Sequence, residues 1–297
     1  MKTLADIGED ELIHRLVAGL KLDRSVIVGP GDDCAVVKAP AKAGERLLLK
    51  TDTVVEGVHF TTETPPKLIG RKAMARVISD FAAMAGTPCH ALVTLIAPPQ
   101  TPVKRVLAVY AGLREMAEAH GVNIVGGETS RGEQLILTVS LTGTVGEKSW
   151  IARSTAKAGD LLLVTGRLGG SIKGKHLRFE PRVAEARWLT ENLPVRAMMD
   201  LSDGLAKDLP RLADASGLGF ELWAPEIPIT PGCTLEQALG DGEDYELLLA
   251  VSPKMKASMM HQWHCFSPKV PLTVIGQLLP LDGKSTNKLK GGWEHFR

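Results

Sequence analysis

Apolar residues recur along this chain at two spacings, and the spacings change at regular intervals. Residues 8–20 carry Leu12, Ile13, Leu16, Val17 and Leu20 on one helical stripe. Residues 67–85 and 102–120 are also predicted helices, the first closed by Gly86-Thr87-Pro88 and the second by Gly121. Between and around them lie short apolar runs that predict strands: 26–28, 35–37, 47–49, 91–97, 122–125 and the longer, partly alternating 134–145. After a polar, irregular stretch at 146–158 the pattern restarts. Strands are predicted at 161–164, 197–199 and 245–251, and helices at 181–192 and 204–215. Strands and helices mix without a strict βαβ alternation, so the fold class is α+β with mixed sheets, in two domains spanning 1–147 and 148–297.

Bulk properties narrow the function. The chain has 297 residues, 44% hydrophobic and 23% charged, with a formal net charge of +1. That balance suits a globular protein and carries no basic excess for nucleic acid or a membrane surface. No run approaches the about 18 apolar residues of a membrane span. The start, Met1-Lys2-Thr3-Leu4-Ala5-Asp6, leads into a charged amphipathic stretch, and Cys34, Cys89, Cys233 and Cys265 form no CxxC pair. A cytoplasmic protein without a zinc knuckle is expected.

The chemistry is carried by acids. Gly31-Asp32-Asp33, Thr51-Asp52, Gly126-Gly127-Glu128-Thr129, Asp200-Leu201-Ser202-Asp203-Gly204 and Gly242-Glu243-Asp244 each stand where an apolar run breaks off, and Asp80 interrupts the apolar face of the 67–85 helix. Carboxylates repel one another unless cations lie between them. Mg²⁺ prefers such hard oxygen donors and is commonly bound together with phosphates. A multi-metal phosphate site is the reading of the set. Singly, each cluster has a plain alternative. Asp80 could pair with Arg76 four residues earlier. Gly-Asp-Asp is a common turn. Ser202 or Asp203 could cap the following helix, whose N-terminus is equally an anion site. Thr51-Asp52, read as a strand end, would hold a ligand rigidly. The run Gly169-Gly170-Ser171-Ile172-Lys173-Gly174-Lys175-His176 imitates a phosphate loop but places His176 where Ser or Thr would hold Mg²⁺. His59, Arg153 and Trp293 read alone as a structural histidine, a solvated charge and a packed or frayed aromatic.

Taken together, GPGDDCAVV, TDTVVEGVHF, SDFAAMAG, GGETSRG, ARSTAKAGD, DLSDGL, GEDYELL and the GWEHF tail resemble the thiamine-monophosphate kinases of the aminoimidazole ribonucleotide synthetase superfamily. The resemblance implies a two-domain fold dimerising through the N-terminal sheet. It implies a reaction in which ATP and thiamine monophosphate give ADP and thiamine diphosphate. By motif position, Asp33, Thr51, Asp52, Asp80, Glu128, Asp200 and Asp203 correspond to the shell of several Mg²⁺ ions. Tyr110, Gly127, Glu128, Arg153 and Ser202 correspond to ATP contacts, and His59, Glu243 and Trp293 to contacts with thiamine monophosphate. No general base is implied. Three departures stand out. Glu128 replaces the usual Asp, Lys50 replaces a small hydroxyl residue before Thr51-Asp52, and the 166–181 connection is short. Two other readings accompany this one: a sister ATP-dependent synthetase, which the absence of an earlier cysteine than Cys34 and of a C-terminal cysteine disfavours, and a sensor that binds the same ligands without turnover.

Overall fold

The computed structural model describes residues 3, 6–7, 12, 15–28, 36–37, 44–146, 149–255, 258–281 and 289–293. Asp33 and the rest of the first acidic cluster lie outside the described residues, as do 8–11 and 13–14 of the predicted 8–20 helix; of the remainder 12 and 15–17 are helical, with Leu12 and Leu16 buried, and the helix gives way to a turn at 18–19, short of Leu20. The chain divides into two compact units, Met1–Phe81 with Gly86–Lys148, and Ala82–Ala85 with Ser149–Arg297.

In the first unit, strands β1 (Val26–Val28) and β2 (Val36–Val37) pair antiparallel. Strand β3 (Glu45–Val55), helix α1 (Pro66–Ala83), strand β4 (Thr87–Ala97), helix α2 (Val103–Ala119), strand β5 (Asn123–Arg131) and strand β6 (Ile136–Gly146) follow. They form a sheet of order β3-β6-β4-β5, in which only β4 and β5, joined through α2, run parallel. Alternation fixes its two faces. Along β6, Leu137, Val139, Leu141 and Val145 are buried, while Thr138, Ser140, Thr142 and Thr144 lie on the other face.

The two helices touch through glycine. A Cβ added to Gly70 on α1 would stand 1.8 Å from the Val109 carbonyl oxygen, and one on Gly112 of α2 would stand 1.9 Å from that of Lys67. Reciprocal glycines therefore let the backbones meet. α2 stops as the sequence predicts: Gly121 takes φ +68°, and the Val122 amide donates back to the Ala117 carbonyl at 2.8 Å. α1 stops differently. The left-handed residue is Ala85 (φ +56°), with the Gly86 amide donating to the Phe81 carbonyl.

The second unit contains β7 (Leu161–Thr165), α3 (Val183–Asn192), β8 (Val195–Asp200), α4 (Leu205–Ala215), β9 (Leu218–Leu222), α5 (Leu235–Gly240), β10 (Leu247–Val251), α6 (Ser258–Phe266) and β11 (Leu272–Pro280). Its sheet, ordered β8-β10-β7-β11-β9, is antiparallel throughout and covered on both faces. Leu205, Leu209 and Leu212 of α4 pack on one side, and Ala186, Leu189 and Trp263 of α3 and α6 on the other. This double burial explains why β7 and β10 read as unbroken apolar runs. Among the described residues no helix is long and apolar enough to cross a membrane.

Candidate active site

The sequence-predicted residues fall into two sets, one in each unit. In the first, Thr51-Asp52 is not at a strand end. β3 continues to Val55, so the pair lies within the strand and its side chains point to opposite faces. The Thr51 hydroxyl hydrogen-bonds that of Ser140 at 3.0 Å on the face away from the helices. Lys50 and Asp52 turn toward α1. There the Lys50 ammonium donates to Asp80 Oδ1 at 2.9 Å, and an Arg76 nitrogen lies 3.7 Å from Asp52 Oδ1 and another donates to the Thr53 carbonyl. Two acids and two bases thus alternate between strand and helix. Helical spacing offers Asp80 only Arg76 as a partner; Lys50, thirty residues away in sequence, is brought to it by the fold.

Gly126-Gly127-Glu128-Thr129 also lies inside a strand, not in a turn ending one. Gly127 is required by the sheet: a Cβ there would come within 1.8 Å of the Val93 carbonyl oxygen on β4. Glu128 is exposed, and its Oε1 accepts from the Thr129 amide at 2.9 Å. Tyr110 sits on α2, its phenol pushed up to about 12 by burial and so neutral at physiological pH. His59 occupies a tight turn in which its Nδ1 accepts from the Val55 amide at 3.0 Å and its carbonyl accepts from the fully buried Lys72 at 2.6 Å. A neutral His59 therefore carries its proton on Nε2.

In the second unit Asp200 is the buried last residue of β8, and the chain turns at once through Leu201-Ser202-Asp203 into α4. This turn gathers residues from far along the chain. The Ser202 carbonyl accepts from the Glu243 amide at 2.7 Å, and the next carbonyl, that of Asp203, accepts from the Trp293 amide at 2.9 Å. Lys207 further donates to the Trp293 carbonyl. Ser202, Asp203, Glu243 and Trp293 are thus assembled on one turn, with the indole about half exposed. Arg153 belongs to the same unit, where its carbonyl accepts from Ser216.

Residues outside the motif set hold this arrangement. Asp208, fully buried in the first turn of α4, accepts from the Asp203 and Gly204 amides at 2.9 and 3.1 Å. Burial pushes its carboxyl up to about 6, against the pull of the Asp203 amide and Arg211. Arg211 binds both Asp203 Oδ2 at 2.7 Å and Asp208 Oδ1 at 2.9 Å. A carboxylate in the first turn of a helix after Ser-Asp-Gly was a legible signal for this role.

Glu243 and Tyr245 both adopt left-handed backbone, φ +52° and +51°. Such strain persists only where neighbours over-determine it, and here the Gly169-Gly170-Ser171 loop does so. The Gly169 amide donates to Asp244, the Gly170 amide to Asp241, and the Ser171 hydroxyl to the Gly242 carbonyl. Phe179 stacks on Tyr245 with ring centroids 4.0 Å apart. His176 Nδ1 lies 3.0 Å from Glu243 Oε2. Lys175, the apparent phosphate-loop lysine, instead reaches Asp244 at 3.4 Å and Glu246 at 3.1 Å. Glu246 in turn receives both ends of the Arg182 guanidinium at 2.8 Å. The glycine-rich run is therefore a clamp on the Glu243 turn. Nothing local in the sequence announces these hydrogen bonds and ion pairs, which span 64 to 75 residues.

Two units with antiparallel-rich sheets, each with acidic residues on a strand or turn, and without a phosphate loop among the described residues, make this an α+β protein of two halves. The AIR synthase related N-terminal domain matches residues 31–145 and the C-terminal domain 130–280, and the chain belongs to this family. Its relatives are narrower. It is 38% identical to a thiamine-monophosphate kinase of Rhodopirellula baltica over 87% of this chain and 85% of that one. It is 33% identical to a thiamine-monophosphate kinase of Bacillus subtilis over 98% and 100%. Among solved structures, AaThiL complexed with AMPPCP and TMP superposes with a TM-score of 0.75 at 29% identity, covering 100% of this chain and 99% of that one.

Proposed function

We propose that this chain is a thiamine-monophosphate kinase, which transfers the γ-phosphoryl group of ATP to the phosphate of thiamine monophosphate and releases thiamine diphosphate and ADP. The observation that carries the reading is the assembly of Ser202, Asp203, Glu243 and Trp293 on one turn. Thiamine monophosphate combines a cationic thiazolium, a flat aminopyrimidine and a phosphate. Glu243 suits the cation, the exposed face of Trp293 the ring, and His59 a phosphate or ring edge through Nε2. Tyr110, Gly127, Glu128, Arg153 and Ser202 are the proposed ATP contacts. The full-length similarity to a protein solved with AMPPCP and TMP supports this assignment.

The acceptor needs no activation by a base. Its second pKa is near ~6, so at neutral pH it is already largely dianionic. The obstacle is bringing it to the polyanionic triphosphate, and the residues act by binding and alignment, with direct in-line transfer and no phosphoenzyme. Mg²⁺ suits the donors by kind, since Thr51, Asp52, Asp80, Glu128, Asp200 and Asp203 offer only oxygen. Among the described residues, however, no three acidic, His or Cys side chains cluster as a ready cage, and Asp80 and Asp203 already carry Lys50 and Arg211. The proposed holders are these residues together with Asp33, supplemented by phosphate oxygens of the substrates. Bound Mg²⁺ would screen charge between the two phosphate groups. We further assign nucleotide and metal binding with homodimerisation to the N-terminal domain, and completion of the site to the C-terminal domain.

Incubation with Mg²⁺-ATP and thiamine monophosphate, followed by chromatographic separation of thiamine species, tests the proposal. Thiamine diphosphate should form, and Asp52→Asn should slow it by at least about a hundredfold. Binding of both ligands without product would make the chain a sensor. Failure to bind thiamine monophosphate would point to a sister synthetase.

A further inference from the structure

We propose that the Lys50 ammonium is a built-in cation of the first unit's acidic face, standing at Asp80 in place of one divalent ion. The inference rests on the kinase reading above and deepens it. Lys50 and Asp52 lie two residues apart on β3 and project to the same, helix-covered side, where α1 presents Arg76 and Asp80 one turn apart. Lys50 Nζ is 2.9 Å from Asp80 Oδ1, a charge-assisted hydrogen bond, and Asp80 is only 20% exposed.

A divalent ion bound to Asp80 would sit about 2.1 Å from its oxygen. It would then face the ammonium at roughly contact distance, in a partly buried place where charges are weakly screened. The two cations compete for one carboxylate. Lysine is suited to the role: it is a compact point charge on a flexible stem, able to reach across from strand to helix. The neighbouring pair is looser, at 3.7 Å between Arg76 and Asp52, so Asp52 keeps more of its capacity to bind a metal. Serine or threonine at position 50 would leave Asp80 without this cation and add an oxygen beside it. The chain thus neutralises Asp80 permanently and should hold fewer ions per active site than a variant with a small hydroxyl residue there.

The experiment counts metal directly. Mn²⁺ is titrated into the full chain with AMPPCP present, and free Mn²⁺ is followed by electron paramagnetic resonance. Lys50→Ser should bind one more Mn²⁺ per chain than the unsubstituted protein, or bind its weakest ion at least tenfold tighter. The gain should vanish in the double variant Lys50→Ser with Asp80→Asn, and Lys50→Arg, which keeps the charge, should retain the original count. Thermal unfolding in EDTA confirms that each variant is folded. Equal counts and affinities in Lys50→Ser and the unsubstituted chain overturn the inference while leaving the kinase reading intact, as does loss of one Mn²⁺ in Asp80→Asn alone. A protein that binds no Mn²⁺ with the nucleotide in any variant overturns both.

Discussion

At the scale of single residues, the second unit keeps its acids in two different surroundings. Asp203 is partly exposed and paired with Arg211, whereas Asp244 is almost fully buried and its carboxyl is pushed up to about 6, foremost by burial, with Lys175 and the Gly169 amide pulling the other way. The sign of the consequence follows. The folded chain keeps this proton to higher pH than the unfolded chain, whose carboxyl titrates near ~3.9. The stability so contributed is fully present below that value and lost as pH rises through about 6. Asp208 acts in the same direction and over the same window. Denaturant midpoints measured from pH 4 to 7 should therefore show a falling component of up to ~3 kcal/mol for Asp244. Asp244→Asn, which keeps the shape without the charge, should flatten the curve; an unchanged slope would mean that Lys175 neutralises the acid throughout. The residue scale also shows what motif position misses. Thr51 and Asp52 are adjacent in a motif yet lie on opposite faces of a strand, so only Asp52 shares a face with the Lys50-Asp80 pair, where it meets Arg76.

The elements of the fold were largely legible, and the misses have a common cause. Helices predicted over 67–85 and 102–120 form over Pro66–Ala83 and Val103–Ala119, because long periodic runs identify a buried helical stripe well. Strands were cut short wherever polar or glycine residues entered. Lys50-Thr51-Asp52-Thr53 remains strand because β6 supplies a full ladder beside it, and Gly126-Gly127 remains strand because β4 packs against its backbone. β9, α5, α6 and β11 have no counterpart among the predicted elements, although the Thr234-Gln237 capping box of α5 and the nine-residue, mostly apolar run of β11 were local signals for two of them. The helix pair offers a sharp test. Gly70→Ala or Gly112→Ala places a methyl less than 2 Å from a backbone oxygen, which no side-chain rotation relieves. Each substitution should destabilise the chain by about 2–3 kcal/mol or prevent folding, as measured by denaturant unfolding, whereas Gly121→Asn at the end of α2 should cost less than ~1 kcal/mol, since Asn tolerates the left-handed region.

For the whole molecule, among the described residues of the first unit no helix covers one face of its sheet, and that face is not uniformly polar. Leu47, Leu49 and Leu92 are 54%, 72% and 46% exposed, among the threonines and serine of β6. An exposed, partly apolar face of this kind, on a sheet ending in the long edge strand β3, supports the proposed homodimer. Leu49→Lys should convert dimer to monomer in sedimentation velocity, weakening association at least about tenfold while leaving the unfolding midpoint of the monomer within ~0.5 kcal/mol. A chain that sediments as a monomer before substitution would refute the assembly without touching the chemistry.

What the sequence by itself determined is the succession of most elements, the α+β class, the acidic motifs in their order and, through them, the family. These are local or collinear properties, set by periodicity and short-range chemistry. What only the tertiary structure decided is which charge meets which. Lys50 finds Asp80, Lys175 leaves the phosphate-loop role for Asp244 and Glu246, and one turn at Ser202-Asp203 collects Glu243 and Trp293. Such pairings depend on strand register and on the packing of elements tens of residues apart, and no local pattern encodes a partner brought near only by the fold.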